Sequence, residues 1–471
     1  MKLKHRPGDF RVRELLREGF IIDRGPHRVY RVKKRKLTSI EAARALSELA
    51  GARSGDVAMA GLKDRQGVTE QTMTLPHGKP VAYRRPELTI ETLGSSAEAI
   101  SSEDTLGNHF DIIVRDLTPL EERHAKAALD VVREHGLANY FDEQRFGNLR
   151  HGQGWIALDL AHGRFEAGLK RLLTAVSKFD NQKSKSFKSA LYRHWGKWGA
   201  CRDIAGRFGE YHSLFEHLKR SDGDFAGAFR FVASRIRLIH LYAYQSHVWN
   251  RALALAIEHG LDRRGTLGLG SPEGRLVFAK SEYEGPPDWR GELSLPGPGL
   301  EGVELADQRA LFAKVLERDK LTPETFRIDG VPGFAFKAEP RAVIVVPRDL
   351  RVKRPDSAGG GASGPRSRSR GSVLELSFGL PRGSYATLVV RRLLGSAHRS
   401  SEPGAAIRAG ARGGGRHGAG RGGERSHGKR YGSGSRQGQG RPGKGRRSKG
   451  AGPQPGNRDS RGGDSAAGRS T

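Results

Sequence analysis

Three short segments carry residue types that can do chemistry. The first, Gly61-Leu62-Lys63-Asp64-Arg65-Gln66-Gly67-Val68-Thr69-Glu70-Gln71, sets one acid between two bases in a polar turn. Turns at strand ends are where rigid scaffolds present reactive groups. A carboxylate flanked by cations keeps a low pKa, as a nucleophile or a stabiliser of positive charge must. A solvated charged turn has the same composition, so this segment alone decides nothing. The second, Asn139-Tyr140-Phe141-Asp142-Glu143-Gln144-Arg145-Phe146-Gly147, puts three aromatics beside amides and an arginine. Aromatics can stack an extruded base, and Asn or Arg can read its edge. Taken singly, Tyr140 and Phe146 read as core plugs. The third, Pro381-Arg382-Gly383-Ser384-Tyr385-Ala386-Thr387, leads into the apolar run Leu388-Val389-Val390, with Ser384 placed to N-cap a helix.

Regular elements must hold these segments. Phe10 and Val12 alternate with polar residues, and Val29 to Val32 is a second short strand. Thr38 with Glu41 spells a capping box for a helix whose inner face would carry Ile40, Ala43 and Leu46. Val57 to Ala60 and Thr69 to Leu75 read as strands flanking the first segment. Thr118-Pro119-Leu120-Glu121 starts a helix that Gly136 stops. The middle is helical, at Ile156–Leu173 and at Arg235–His259, which is apolar nearly all round and so predicts a buried helix. Strand patterns return at Ala342–Val346 and Val373–Phe378, with the Gly/Ser-rich stretch 357–371 between them as a flexible loop. Strand-rich ends around a helical middle predict an α+β chain with one domain inserted into another.

Charge bounds the partners. Lys and Arg number 82 against 52 Asp and Glu, a net +30 in 471 residues. From Arg399 to Thr471 there are 17 bases, 4 acids, 22 glycines and one aromatic, Tyr431. That tail has almost nothing to bury and reads as disordered. The first 398 residues keep a net charge of +17, so the folded part is basic too. A polyanion is the default partner for such a surface. No apolar run approaches the ~20 residues of a membrane span, and Met1 to Phe10 has no apolar core of a secretory signal. The lone cysteine, Cys201, excludes an internal disulfide and a CxxC site. His212 and His217 have no sequence neighbours that would complete a metal site. Lys183, Lys185, Lys188, Arg193 and Lys197 are interleaved with Phe187, Tyr192, Trp195 and Trp198, which suits either an RNA surface or a solvated helix over a core.

Together, the segments resemble the TruD family of tRNA pseudouridine synthases, whose pattern runs GxKDxxAvTxQ, NYFGxQRFG and LPxGSYATxxLRE. Asp9-Phe10-Arg11-Val12-Arg13-Glu14 resembles the family's EDFxVxE start, Gly25-Pro26-His27 its GeH, and Tyr244-Gln245-Ser246 with Asn250 its YQSxxxN helix. The match runs in order from about Pro7 to Leu394. Gly67 stands for the usual Ala, Asp142 for Gly and Arg392 for Glu, and Asp142 puts an extra charge beside the pocket.

The resemblance implies a pseudouridine-synthase-like catalytic domain with a mixed sheet, residues 1–164 and 334–398, around an inserted, largely helical domain, 165–333, and then the tail, 399–471. It implies isomerisation of uridine in tRNA, at position 13, by a single catalytic carboxylate, Asp64. That residue would either attack C1′ or remove the sugar's C2′ proton. Asn139 would position Asp64 or the sugar, Phe141 would stack the base without bearing on stability, and Lys63 and Arg145 would hold substrate. The expected partner is tRNA, with no metal, no nucleotide or other cofactor and no membrane. The expected enzyme is a cytoplasmic monomer. The rival readings are an RNA-binding or RNA-chaperone protein without catalysis, and a synthase acting on another RNA site.

Overall fold

Alternating apolar residues build the first strand, β1 (Phe10–Leu16), which buries Phe10, Val12 and Glu14 and exposes Arg11 and Arg13. The computed structural model describes residues 1–283, 285–286, 291–298, 306–326, 328, 330–331, 336, 338–354 and 372–396, all within one compact unit, Met1–Ala406. The expected loop 357–371 and tail 399–471 lie outside the described residues.

After β1 come β2 (His27–Arg35), α1 (Ser39–Ala50), β3 (Ala58–Met59), β4 (Val68–Pro76), β5 (Ala82–Arg84), β6 (Leu88–Ser96), β7 (Thr105–Leu117), α2 (Pro119–Glu134) and β8 (Leu137–Ala138). Helices follow: α3 (Gly147–Arg150), α4 (Ile156–Ala161), α5 (Phe165–Thr174), α6 (Gln182–His194), α7 (Trp198–Phe208), α8 (His212–Arg220), α9 (Phe225–Ala228) and the long α10 (Ser234–Gly260). The hairpin β9 (Thr266–Ser271) and β10 (Gly274–Ala279) precedes α11 (Ala306–Glu317), β11 (Ile344–Val345), β12 (Arg348–Lys353), β13 (Ser372–Pro381) and α12 (Ala386–Leu394).

The fold is α+β. Among the described residues, the main sheet runs β12-β13-β7-β1-β4-β2-β6-β5, with β3 paired to β4. It is mixed, because β1 lies parallel to β4 and antiparallel to β7. Strands from the chain's end therefore complete a sheet begun at its start: β13 pairs with β7, Leu380 opposite Asn108 and Pro381 opposite Gly107.

The capping signals act as read. Thr38 and Glu41 close the box of α1, and Thr118 and Glu121 that of α2. Gly136 takes φ +73°, and a Cβ there would meet Val345 O at 2.4 Å. Two local expectations fail. Ile40 is 54 % exposed, and the inner face of α1 is Ser39, Ala42, Ala43, Leu46, Ser47 and Ala50. Ser39 holds an inward position because its hydroxyl is in use: it donates to Gln71 Oε1 at 2.6 Å and accepts from Lys63 N at 2.9 Å. Ser384 does not cap α12; the N-cap position is Tyr385, with no side-chain cap, and Ser384 Oγ is buried without a hydrogen bond.

Candidate active site

The turn between β3 and β4 presents Asp64. Its neighbours fix the backbone on both sides. Gln71 of β4 donates to Gly61 O at 3.2 Å, and Lys34 Nζ donates to Lys63 O and Asp64 O at 3.3 and 2.9 Å and to Leu37 O at 2.9 Å. Lys34 occupies an inward position of β2 and is 1 % exposed. Burial pushes its ammonium down to about 8, against the opposing pull of Asp64. At Gly67, a Cβ would stand 2.6 Å from Phe10 O, so this turn packs on β1 only with glycine.

The Asp64 carboxylate ion-pairs with Lys4 and accepts from Gln66 N at 2.9 Å. Burial opposes its ionisation, but Lys4, the Gln66 N–H and the charge of Lys34 outweigh that and hold the carboxyl below its usual range. It is therefore an anion at neutral pH, with its side chain 26 % exposed. Lys63 turns the other way. Its Nζ donates to Asn108 Oδ1 at 2.8 Å and ion-pairs with the buried Glu14 at 2.7 Å, while Glu14 accepts from Thr72 N at 2.9 Å. These contacts tie the turn to β1, β4 and β7. Beside them, a depression of about 380 Å³ is lined by Arg11, Lys33, Lys34 and Arg35.

The second segment forms a separate cluster. Phe141 is 4 % exposed, with the Arg341 guanidinium 4.0 Å and the Arg145 guanidinium 5.1 Å from its ring centre, and with Trp249 and Tyr385 edge-on at 5.6 and 6.4 Å. Its backbone N–H donates to Asn250 Oδ1 at 2.9 Å and its carbonyl accepts from Asn250 Nδ2 at 2.8 Å. Phe141 is thus a packed residue rather than an open platform, which corrects the expectation that it is idle in folding. Tyr140 and Phe146 are core residues as expected, Tyr140 Oη donating to Val277 O at 2.6 Å.

Asn139 is buried and bonds to residues 341 and 342, not to Asp64: Nδ2 donates to Ala342 O, and Oδ1 accepts from Arg341, both at 3.1 Å. Arg341 also donates to Asn139 O at 2.6 Å and to Gly383 O at 3.0 Å. Burial pushes its guanidinium down to about 10. Arg145 lies over Phe141 and Tyr242. Among the described residues, no hydrogen bond or ion pair joins this cluster to that of Asp64. The sheet relates them: Asn108, which holds Lys63, pairs with Leu380, and the turn after Pro381 supplies the Gly383 carbonyl that Arg341 takes.

Asp142, the extra charge of the second segment, is consumed internally. It accepts from Thr387 Oγ1, and from Arg391 Nη1 at 2.8 Å, and Arg391 donates in turn to Gly270 O at 2.7 Å. Arg392 donates to Ala279 O at 2.8 Å. Buried Glu273, beside this group, is pushed up to about 7, mainly by burial, with the Asp142 charge adding to it.

Lys4, Lys34, Asn108 and Arg341 hold the predicted residues in place and carry no such role in the sequence reading, which placed Glu14 only in the opening motif. A signal existed for Lys34, a lysine in the inward phase of a strand. Arg341 and Asn108 reach the site only through tertiary pairing.

Comparison with known proteins agrees with this architecture. The family model described as "tRNA pseudouridine synthase D (TruD)" matches residues 1–274 and 288–393. The tRNA pseudouridine synthase D of Aquifex aeolicus is 27 % identical over 400 residues, covering 83 % of this chain and 98 % of that protein. That of Geobacter sulfurreducens is 28 % identical over 402 residues, covering 83 % and 93 %. A crystal structure of the Methanosarcina mazei chain assigned to TruD shares the fold, with a TM-score of 0.60 at 21 % identity over 83 % of this chain and 93 % of that one. The chain belongs to the tRNA pseudouridine synthase D family.

Proposed function

We propose that this protein isomerises uridine to pseudouridine in tRNA, at position 13, with Asp64 as the catalytic carboxylate. The observation that carries the reading is an ionised, partly exposed carboxylate, fixed by Lys4 and by a backbone that Lys34 pins, in a chain of this family. The reaction breaks the C1′–N1 bond, turns the uracil and joins C1′ to C5. Positive charge builds at the sugar as the base leaves, and a carboxylate facing it stabilises that charge. The uracil departs as an anion and is recaptured through C5, and the C5 proton is then lost while N1 takes one up, so atoms and electrons balance without a co-reactant. Asp64 does this either by attacking C1′ or by taking the C2′ proton.

The basic depression of Arg11, Lys33 and Arg35 suits phosphates flanking the target, and the basic tail adds attraction that is independent of sequence. We assign the catalytic domain to 1–164 with 334–398, and the inserted domain to 165–333; the protein works as a cytoplasmic monomer. Asn139 and Arg145 act by holding Arg341, Tyr385 and Phe141 in place, and Phe141 reaches a base only after the Arg341 guanidinium moves off its ring.

The test is pseudouridine mapping on tRNA incubated with the full chain and with Asp64→Asn. Wild type should mark one uridine, at position 13. Asp64→Asn should bind tRNA normally and lose at least ~10²–10³ in rate, the cost of one missing transition-state contact. Substantial turnover by Asp64→Asn refutes its role. RNA binding without any product in wild type returns the reading to a non-catalytic RNA-binding protein.

A further inference from the structure

A cavity of about 360 Å³ lies outside both clusters, between α3, α5, α6 and the start of α10. It adjoins the second segment directly, because Gly147 and Asn148, which continue that segment, form part of its wall. Its size is that of a small-molecule site.

Its walls are aromatic. Phe187 and Tyr211 both line it, with rings parallel to within 10° and centroids 6.4 Å apart. The two rings form an aromatic wall against which a planar ring can pack. Two further wall residues keep a buried polar atom without a hydrogen bond, Asn148 Oδ1 and His240 Nδ1. Asn148 is 3 % and His240 5 % exposed. Burial pushes the His240 imidazole down to about 4, so it is neutral at pH 7. The rim is basic, with Lys183 exposed, and apolar, with Ile239 47 % exposed. The interior does not suit a phosphate. Glu210 stands on the wall, and Lys188 is neutralised by Asp180 at 2.8 Å.

The geometry points to a second nucleobase site: this cavity takes one unpaired base of the RNA, carrying an exocyclic amine, while Lys183 at the rim meets its phosphate. An amide oxygen and a neutral imidazole nitrogen pair with an amine, the aromatic walls stack the ring, and a base held beside the second segment would fix where along the RNA the target lies. The inference rests on the proposal that the chain acts on RNA, and it makes the helical segment around α6 a reader of the substrate rather than a bare scaffold.

The experiment uses the full chain and a folded tRNA transcript. Ser184, on the cavity wall, is changed in Ser184→Trp to fill the space, and His240→Phe keeps the buried shape without the nitrogen. Affinity for tRNA should fall ~10–100-fold in Ser184→Trp, the range of one lost base–aromatic stack, and by less in His240→Phe. A scan of tRNAs with single abasic sites at unpaired nucleotides should find one, away from the target uridine, that weakens wild type and weakens His240→Phe by a smaller factor. Wild-type affinity in both variants, or an abasic effect that adds fully to His240→Phe, overturns the inference. If Ser184→Trp lowers the melting temperature, His240→Phe and the abasic cycle decide alone. Binding of adenosine, guanosine or cytidine 5′-monophosphate here, lost in Ser184→Trp, with no abasic position coupled to His240, assigns the cavity to a free nucleotide and overturns its reading of the strand. Absence of pseudouridine with wild type refutes the proposed reaction instead, and leaves these affinity readouts standing.

Discussion

Removing the Asp142 charge should destabilise the fold measurably. Asp142 and Arg391 pair at 2.8 Å with side chains only 7 % and 1 % exposed. In Asp142→Ala, Arg391 keeps Gly270 O at 2.7 Å and a Glu143 oxygen at 3.9 Å, and Thr387 loses its acceptor. Removing one member of a buried pair costs roughly 3–5 kcal/mol, because the other charge is left uncompensated. Unfolding entropy is about 2.1 cal/mol/K per residue, which over the Met1–Ala406 unit is roughly 0.85 kcal/mol/K. The melting temperature should therefore fall by about 4–6 °C. Removing both charges, in Asp142→Ala with Arg391→Met, should restore part of that loss, since an apolar replacement of a buried pair is often neutral. Differential scanning calorimetry of the single and double variants reads both numbers. The reasoning is refuted if Asp142→Ala melts within about 1 °C of wild type, or if the double variant loses the full sum of the two singles, which would mean that the charges are not coupled.

Lys34 and Glu273 predict opposite pH signatures. Lys34 holds the Asp64 turn as an ammonium, so activity should fall as pH rises through about 8. Stability should not follow it: the folded-state value lies below the unfolded 10.5, so the cost of burying the Lys34 charge is relieved, and stability rises, as pH climbs from about 8 to 10.5. A pH–rate profile beside melting curves separates the two, and an activity limb that persists in Lys34→Met assigns the titration elsewhere. Glu273 is raised above its unfolded value, so its contribution is complete below pH 4.5 and is lost as pH climbs through about 7. Glu273→Gln should match wild type at pH 4.5 and melt higher at pH 8; equal melting at pH 8 would show that Glu273 carries no such penalty. Phe141→Ala empties a packed position and should cost about 3–5 kcal/mol in denaturant unfolding, whereas a loss under ~1 kcal/mol would return Phe141 to the role of an open platform.

Backbone signals were legible in the sequence because they are local. A capping box needs two side chains three residues apart, and Thr38 with Glu41 or Thr118 with Glu121 can be read without knowing what lies across the fold. The buried helix α10 and the strands around Asp64 follow from periodicity in the same way, and the order of the three segments pointed to the right family. What was hidden is the use of each side chain once distant strands meet. Ser39, unremarked in the sequence, is a hydrogen-bonding strut under Lys63. Phe141 looked like a stacking surface, and its ring is covered by Arg341, two hundred positions away in sequence. Asp142 looked like a disturbance to the pocket because its partner, Arg391, comes from the last helix. In each case the residue type announced a capacity, and a neighbour supplied by topology determined how it was used. The arginines show this most clearly. Arg391 and Arg392 sit side by side and are both buried, yet one neutralises a carboxylate and the other donates to the Ala279 carbonyl. A buried guanidinium needs planar, many-armed satisfaction, and whether an acid or a carbonyl meets it depends on which loop packs there. The charge of Asp142 therefore belongs to the frame that joins the second segment to α12, while the Asp64 carboxylate stays ionised and partly exposed.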